Sequence, residues 1–294
     1  MSGLSESLGK GFTVTTEVKP PRGPDTTGFE GEIGMLKSLK GLTAVNLVDS
    51  PSARLFMSSL GASIMLKQAG LEPIFQMVCR DRNILALESD LISASAFGIE
   101  NILALTGDHP SRGASDHPDA KPVYDLDSTS LIRTISLMNE GRDITGKELK
   151  GSTEFYVGGA ISPGVNPVEP EVLKVKRKME AGARFFQTQV VFDLGVVEDF
   201  MEKADEMVGD IRGRVLVGII PLASERMIDF LNRLPGILVP EDVASRVVKA
   251  DDPVAEGVSV ALELIDGVRS AGMAGAHIMP VGRLNSLERI LADI

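Results

Sequence analysis

The sequence is poor in cysteine: Cys79 is the only one in 294 residues. That excludes an internal disulfide framework and any multi-cysteine zinc or iron–sulfur site built by this chain alone. Cys79 reads as a small buried apolar residue on a strand. Long hydrophobic runs are also missing, since none approaches the roughly 20 residues that a membrane helix needs; a soluble protein is expected. No basic stripe interleaved with aromatics occurs, and a net charge of −11 would repel a phosphate backbone, so nucleic acid is not an expected partner. The opening stretch "MSGLSESLGKG" (1–11) lacks a basic region followed by an apolar core, so nothing marks it as a secretory signal. It reads as a flexible tail on a cytoplasmic protein.

What the chain has is material for a large core, with 43% apolar and 24% charged residues. Its length suits one α/β barrel, so a single domain over 1–294 is the simplest reading. Eight short β-rich runs are candidate strands: 12–18, 42–48, 73–79, 101–107, 155–161, 184–191, 214–221 and 276–281. Between them lie stretches with apolar residues at three- and four-residue spacing, such as 53–70, 82–98, 170–182 and 253–272, which predict helices. These four end at Gly70, Gly98, Gly182 and Gly272, as a left-handed cap prefers. Nearly continuous apolar strands separated by helices imply a parallel sheet covered by helices, and eight such units imply closure into a (β/α)₈ barrel. A doubly wound open sheet is the alternative, but no Gly-x-Gly-x-x-Gly follows the first strand.

In such a barrel the active site lies where the strands end and their βα loops converge. Polar residues interrupt the apolar strands at that end: Glu17, Asn46, Gln76, Asp108, Gln187, Gln189 and Arg283. Each would carry a desolvation cost unless paired, so their recurrence on six strands points to a ligand site. The long segment 109–128 after the fourth strand is rich in Pro, Gly and Asp. Its Asp116, His117 and Asp119 have the look of a metal site, but carboxylates along such a segment are usually just solvated, so no metal is expected and the loop is read as a shield for the mouth.

The stretches "TEVKPPRG" (16–23), "CRDRNILALESDLISASAFGIENILALTGDHP" (79–110), "VYDLDSTSLIRTI" (123–135), "KRKMEAGARFFQTQVVFD" (176–193) and "GIIP" (218–221) resemble the methylenetetrahydrofolate reductase family, in the form whose fourth strand ends in Thr-Gly-Asp. The resemblance runs through nearly the whole chain in the right order. It implies an enzyme of one-carbon metabolism and methionine biosynthesis that reduces 5,10-methylenetetrahydrofolate to 5-methyltetrahydrofolate. The implied cofactor is a flavin, FAD rather than FMN, with NADH or NADPH as donor. It also implies a folate or related pterin substrate and a homo-oligomer. The alternative is a flavin- and folate-binding barrel that works only as a subunit of a larger electron-transfer complex.

Carried over to this chain, the resemblance makes Glu17 the acid that supports protonation at N10 and opens the imidazolidine ring. That task favours a partly desolvated carboxyl. The competing reading pairs Glu17 with Lys19 or Arg22 at the surface. Asp108 corresponds to the aspartate between flavin and pterin, where it would tune the cofactor and accept hydrogen bonds; otherwise it is a turn residue. Gln189 and Arg283 correspond to substrate contacts, although "MPVGR" around Arg283 departs from the family pattern. Asn46, Gln76, Thr106, Gly107, Asp108, Ser128, Asn166, Arg177 and Lys178 fall at cofactor positions, the two cations suiting a diphosphate. Four identities differ from the better-known pattern: Asn46 stands for threonine, Gln76 and Asn166 for histidines, and Thr106 for arginine.

Overall fold

All eight expected strands form. They are β1 (Thr13–Val18), β2 (Ala44–Leu47), β3 (Pro73–Val78), β4 (Asn101–Leu105), β5 (Tyr156–Ile161), β6 (Phe185–Val190), β7 (Val215–Ile219) and β8 (Gly275–Ile278). Each pairs in parallel with its sequence neighbours, and β1 pairs with β8, so the sheet closes into a (β/α)₈ barrel. The computed structural model describes residues 2–111, 115–234, 236–281 and 284–294.

Alternation along each strand splits the core in two. One set of strand residues, including Val45, Phe75, Ile102, Val157, Phe186 and Val217, packs outward against helix residues such as Leu66, Leu87, Leu131 and Ile135. These belong to α3 (Ser59–Gln68), α4 (Ile84–Ala96) and α5 (Ser128–Asn139). The helical ring also contains α2 (Thr27–Ser38), α6 (Glu169–Ala181), α7 (Leu194–Met207), α8 (Glu225–Leu231), α9 (Glu241–Lys249), α10 (Pro253–Ser270) and α11 (Leu284–Asp293). The other set, Ala44, Ile74, Leu103, Phe185 and Leu216, fills the lower interior.

A further residue completes that inner cluster: Leu4, with no exposed surface. Residues 1–11, expected as a flexible tail, instead contain α1 (Gly3–Ser7), capped by the Ser2 hydroxyl, which accepts from the Ser5 N–H at 3.1 Å. Leu4 plugs the N-terminal end of the barrel, and Ser7 Oγ meets Thr13 Oγ1 at 2.8 Å. Leu4 anchors the segment, with Leu8 packed beside it; fully burying a leucine contributes about 1.5–3 kcal/mol, to which the Ser2 cap and the Ser7–Thr13 contact add.

The helix expected over 53–70 starts late. Ser58 caps α3, and the chain before it turns through Ser50, Ser52 and Ala53 at positive φ. The glycine ends are as expected; Gly182 closes α6 at φ 118°, and Gly70, Gly98 and Gly272 are also left-handed. Among the described residues, no helix is long and apolar enough to cross a membrane.

Candidate active site

Glu17 stands near the end of β1 and is partly buried, with 22% of its side chain exposed. Its Oε2 lies 3.7 Å from Nε2 of His277 on β8, which is almost wholly buried. The other ring nitrogen of His277, Nδ1, is 2.9 Å from Thr15 Oγ1, two residues before Glu17 on the same inward face. A hydroxyl, an imidazole and a carboxylate thus form a chain up the inner wall. The surface pairing considered for Glu17 does not form with Arg22, which binds Asp116 at 2.7 Å. A cavity of about 190 Å³ opens beside Glu17, lined also by Lys19, Glu32, Pro280 and Val281. Burial holds the Glu32 carboxyl above its ordinary range.

Below this level Asn46 and Gln187 clasp each other across the barrel. Asn46 Nδ2 donates to Gln187 Oε1 at 2.7 Å, and Gln187 Nε2 donates to Asn46 Oδ1 at 3.1 Å. Asn46 has no exposed surface, so the amide carried over as a cofactor contact sits beneath the mouth rather than on it. Gln76 is also buried, at 9% exposure.

The side formed by β4 and β5 is different in character. A cavity of about 520 Å³ runs from Leu105 and Ala160 at the barrel mouth to Thr106, Ser128, Lys174, Arg177 and Lys178. The fold builds it from the start of α5 and the face of α6 that carries Glu171, Lys174, Arg177 and Lys178. Asp127 caps α5 by accepting from Ser130 N–H at 2.7 Å, and Thr106 Oγ1 accepts from Ser128 N–H at 3.1 Å. Burial opposes the Asp127 charge, but hydrogen bonds from Ser130 and Thr129 outweigh it and hold the carboxyl below its ordinary value. Lys178 is buried and donates to the Ala160 carbonyl; burial pulls its ammonium below the ordinary lysine range, with Glu171 acting in the opposite sense. Four of the carried-over residues, Thr106, Ser128, Arg177 and Lys178, therefore share one cavity. Its hydroxyls and cations suit an anionic tail, and its apolar inner edge suits a flat ring, so this donor set fits a flavin nucleotide.

Gly107 precedes the exposed Asp108 at φ 88°, and a Cβ there would come within 3.1 Å of Arg80 Cβ and 3.2 Å of Val78 Cβ. The glycine is required twice over, by conformation and by space. On β6 the pairing with β7 slips between Gln187 and Val190. Thr188 Oγ1 fills the gap, accepting from Gly218 N–H at 2.8 Å and donating to the Gln189 carbonyl at 2.6 Å. Such an irregularity re-aims side chains; Gln189 is exposed and lines a separate cavity of about 460 Å³ with Gly236, Ile237 and Leu238. Asn166 is exposed on the loop after β5, and Arg283 lies outside the described residues.

Two residues were not singled out in the sequence. His277 had a visible signal, a histidine inside the apolar run "AHIMPV". Arg80 had none beyond its place in "CRDRN", yet its side chain is only 2% exposed beneath the Thr-Gly-Asp turn. In the loop after β4, Asp116 is consumed by Arg22, His117 and the Leu55 N–H, and among the described residues no group of three or more His, Cys, Asp or Glu could hold a metal.

The sequence pattern of the methylenetetrahydrofolate reductase family matches residues 4–294. The chain is 24% identical to the 5,10-methylenetetrahydrofolate reductase of Pectobacterium carotovorum, over 95% of this chain and 89% of that one. It is 26% identical to a probable methylenetetrahydrofolate reductase (NADPH) of Caenorhabditis elegans over 81% of its own length, but spans only 34% of that longer protein. Among solved structures, an uncharacterized protein from Clostridium thermocellum that binds two copies of 5-methyl-5,6,7,8-tetrahydrofolic acid superposes with a TM-score of 0.71 at 15% identity, covering 99% of this chain and 97% of that one. A 2,3-dimethylmalate lyase shares the barrel more distantly, with a TM-score of 0.53 at 10% identity, covering 100% of this chain and 84% of that one. With a match across nearly its entire length, this chain belongs to the methylenetetrahydrofolate reductase family of oxidoreductases.

Proposed function

We propose that this barrel reduces 5,10-methylenetetrahydrofolate to 5-methyltetrahydrofolate, using a flavin, FAD rather than FMN, that NADH or NADPH reduces. The observation that carries the reading is Glu17, a half-buried carboxyl on the inner wall within 3.7 Å of a buried imidazole, at the same mouth as the cation- and hydroxyl-lined cavity. Family membership supports the reaction, and NADPH is the donor named for the C. elegans relative. Binding of 5-methyl-5,6,7,8-tetrahydrofolic acid by the C. thermocellum protein of the same fold supports a folate ligand.

When bound, the flavin supplies a centre that accepts hydride from the donor and yields it to the folate. Thr106, Ser128, Arg177 and Lys178 would hold it, the cations facing its diphosphate. Glu17 supports protonation of N10, so the C–N10 bond of the imidazolidine ring breaks and an iminium forms at N5 to receive hydride. His277, anchored by Thr15, faces the Glu17 carboxyl from 3.7 Å, longer than a direct hydrogen bond. Asp108, exposed two residues after the cavity-lining Thr106, would accept hydrogen bonds from the pterin and place a negative charge near a bound flavin. Gln189 offers both a donor and an acceptor to the pterin, with Ile237 and Leu238 as apolar neighbours. Asn46 and Gln187 brace the floor beneath.

The test is spectroscopic. The purified protein, supplied with FAD, should show a flavin absorbance that NADPH or NADH bleaches anaerobically and that 5,10-methylenetetrahydrofolate restores. A protein that takes up neither FAD nor FMN would sink the reading; bleaching only in the presence of another protein would favour the electron-transfer subunit.

A further inference from the structure

Arg80 is a buried cation whose hydrogen bonds all reach loops at the mouth. Its Nε and Nη2 donate to the Asp81 carboxylate at 2.7 and 2.6 Å. Nη2 also donates to the Ser50 carbonyl at 3.0 Å, and Nη1 to the Asp108 carbonyl at 3.3 Å. Its own carbonyl accepts from Val123 N–H at 2.8 Å, beside Tyr124, whose hydroxyl donates to the Gly107 carbonyl at 3.1 Å. Three βα loops, after β2, β3 and β4, therefore meet on one side chain.

Stability alone is a poor reason for such a residue. Desolvating a guanidinium costs several kcal/mol, and apolar side chains of similar volume often replace buried ion pairs without loss. What an apolar residue cannot do is grip two carbonyls from separate loops in a fixed fork. Both gripped segments are conformationally unusual: Ser50 is left-handed at φ 43°, and Asp108 follows Gly107 at φ 88°. Burial opposes the charge on Arg80, but the hydrogen bonds and charge of Asp81, with Asp49 behind, outweigh it and favour the charged form beyond the ordinary arginine range.

We propose that Arg80 is a positioning residue: its guanidinium fork, by holding the Ser50 and Asp108 carbonyls, sets where the Asp108 carboxylate stands in the mouth. This rests on the role given above to Asp108. A lysine keeps the charge but presents no planar fork, so Arg80→Lys separates geometry from charge.

The experiment is a double-mutant cycle of Arg80→Lys and Asp108→Asn, read in the two anaerobic half-reactions, with FAD affinity from fluorescence titration and hydrogen exchange over 48–55 and 103–111. With Arg80→Lys, folate reduction should slow about 10-fold or more while flavin reduction by the donor changes less than about 3-fold, because small misplacements of a reacting group are costly. Exchange should quicken in both loops. In the Asp108→Asn background, Arg80→Lys should add less than about 2-fold, the non-additivity expected of residues acting as one unit. Full additivity, or wild-type folate reduction by Arg80→Lys while Asp108→Asn is impaired, would overturn the inference. Wild-type folate reduction by Asp108→Asn alone would instead overturn the role of Asp108. If Arg80→Lys does not fold, Arg80→Ala with added guanidinium ion replaces it; partial recovery of folate reduction supports the inference, and none overturns it.

Discussion

The two ends of this barrel are built on opposite principles. At the N-terminal end Leu4, Leu103, Phe185 and Leu216 make an apolar plug, and Tyr156 stacks on Phe185 with ring centroids 5.4 Å apart and planes 7° from parallel. At the C-terminal end the interior turns polar through Asn46, Gln187 and His277, and the loops take up backbone conformations that side chains disfavour. Ser50, Ser52, Ala53, Tyr124 and Val281, the non-glycine residues at positive φ among those described, all follow strands, so all lie at this end. Each such residue costs about 1–3 kcal/mol unless its surroundings hold it. The same sheet thus stores stability at its floor and spends regularity at its mouth, where loop shape matters more than packing.

This division can be broken or sharpened by substitution. The largest effect is expected at the mouth: Glu17→Gln should cut folate reduction by about 10²-fold or more, the loss of a general acid, while donor-driven flavin reduction and thermal stability stay near wild type. Equal losses in both half-reactions would give Glu17 a structural role and blur the contrast. At the floor, Leu4→Ala should cost about 2–5 kcal/mol by leaving a cavity in the plug, seen as a lower denaturant midpoint, with turnover per folded molecule unchanged. A loss of turnover without a loss of stability would reverse the assignment of the two ends.

Asp127→Ala should be smaller, about 1 kcal/mol for a lost helix cap. Its carboxyl is held below the ordinary aspartate value in the folded protein, so its contribution is fully present above the unfolded pKa of about 4 and disappears as pH falls through the folded one. The gap between wild type and variant should therefore close on acidification, and a gap constant down to strong acid would refute the linkage. The smallest effect belongs to Cys79, buried on the strand side, whose thiol is pushed up to about 12, chiefly by burial. It should resist alkylation in the native protein at neutral pH; rapid labelling would show that the wall near the mouth opens.

The repeating architecture was legible because its signals are local. Apolar runs bounded by left-handed glycines such as Gly182 announce strand and helix one unit at a time. The rim was partly legible for the same reason, since Glu17 and Asp108 interrupt runs that are otherwise apolar. The contacts that give the rim its geometry are not local. Asn46 meets Gln187 across 141 residues, Thr15 meets His277 across 262, and Arg80 reaches Ser50 and Asp108 across 30 and 28. Closure of the sheet brings these partners together, and no pattern within a single stretch announces which of them will pair. The order at Leu4 is not legible locally, because a single apolar pair, Leu4 and Leu8, in an otherwise polar stretch is too short a period to announce a helix.

A vessel stoppered at one end has a single doorway. With Leu4 and its neighbours closing the floor, whatever approaches the inner wall at Glu17 must arrive and depart through the same opening. Two ligands that need that spot must queue, and a large excess of either keeps the other waiting. The packed interior, from the Asn46–Gln187 clasp down to the small helix at its base, thereby leaves one way in and out.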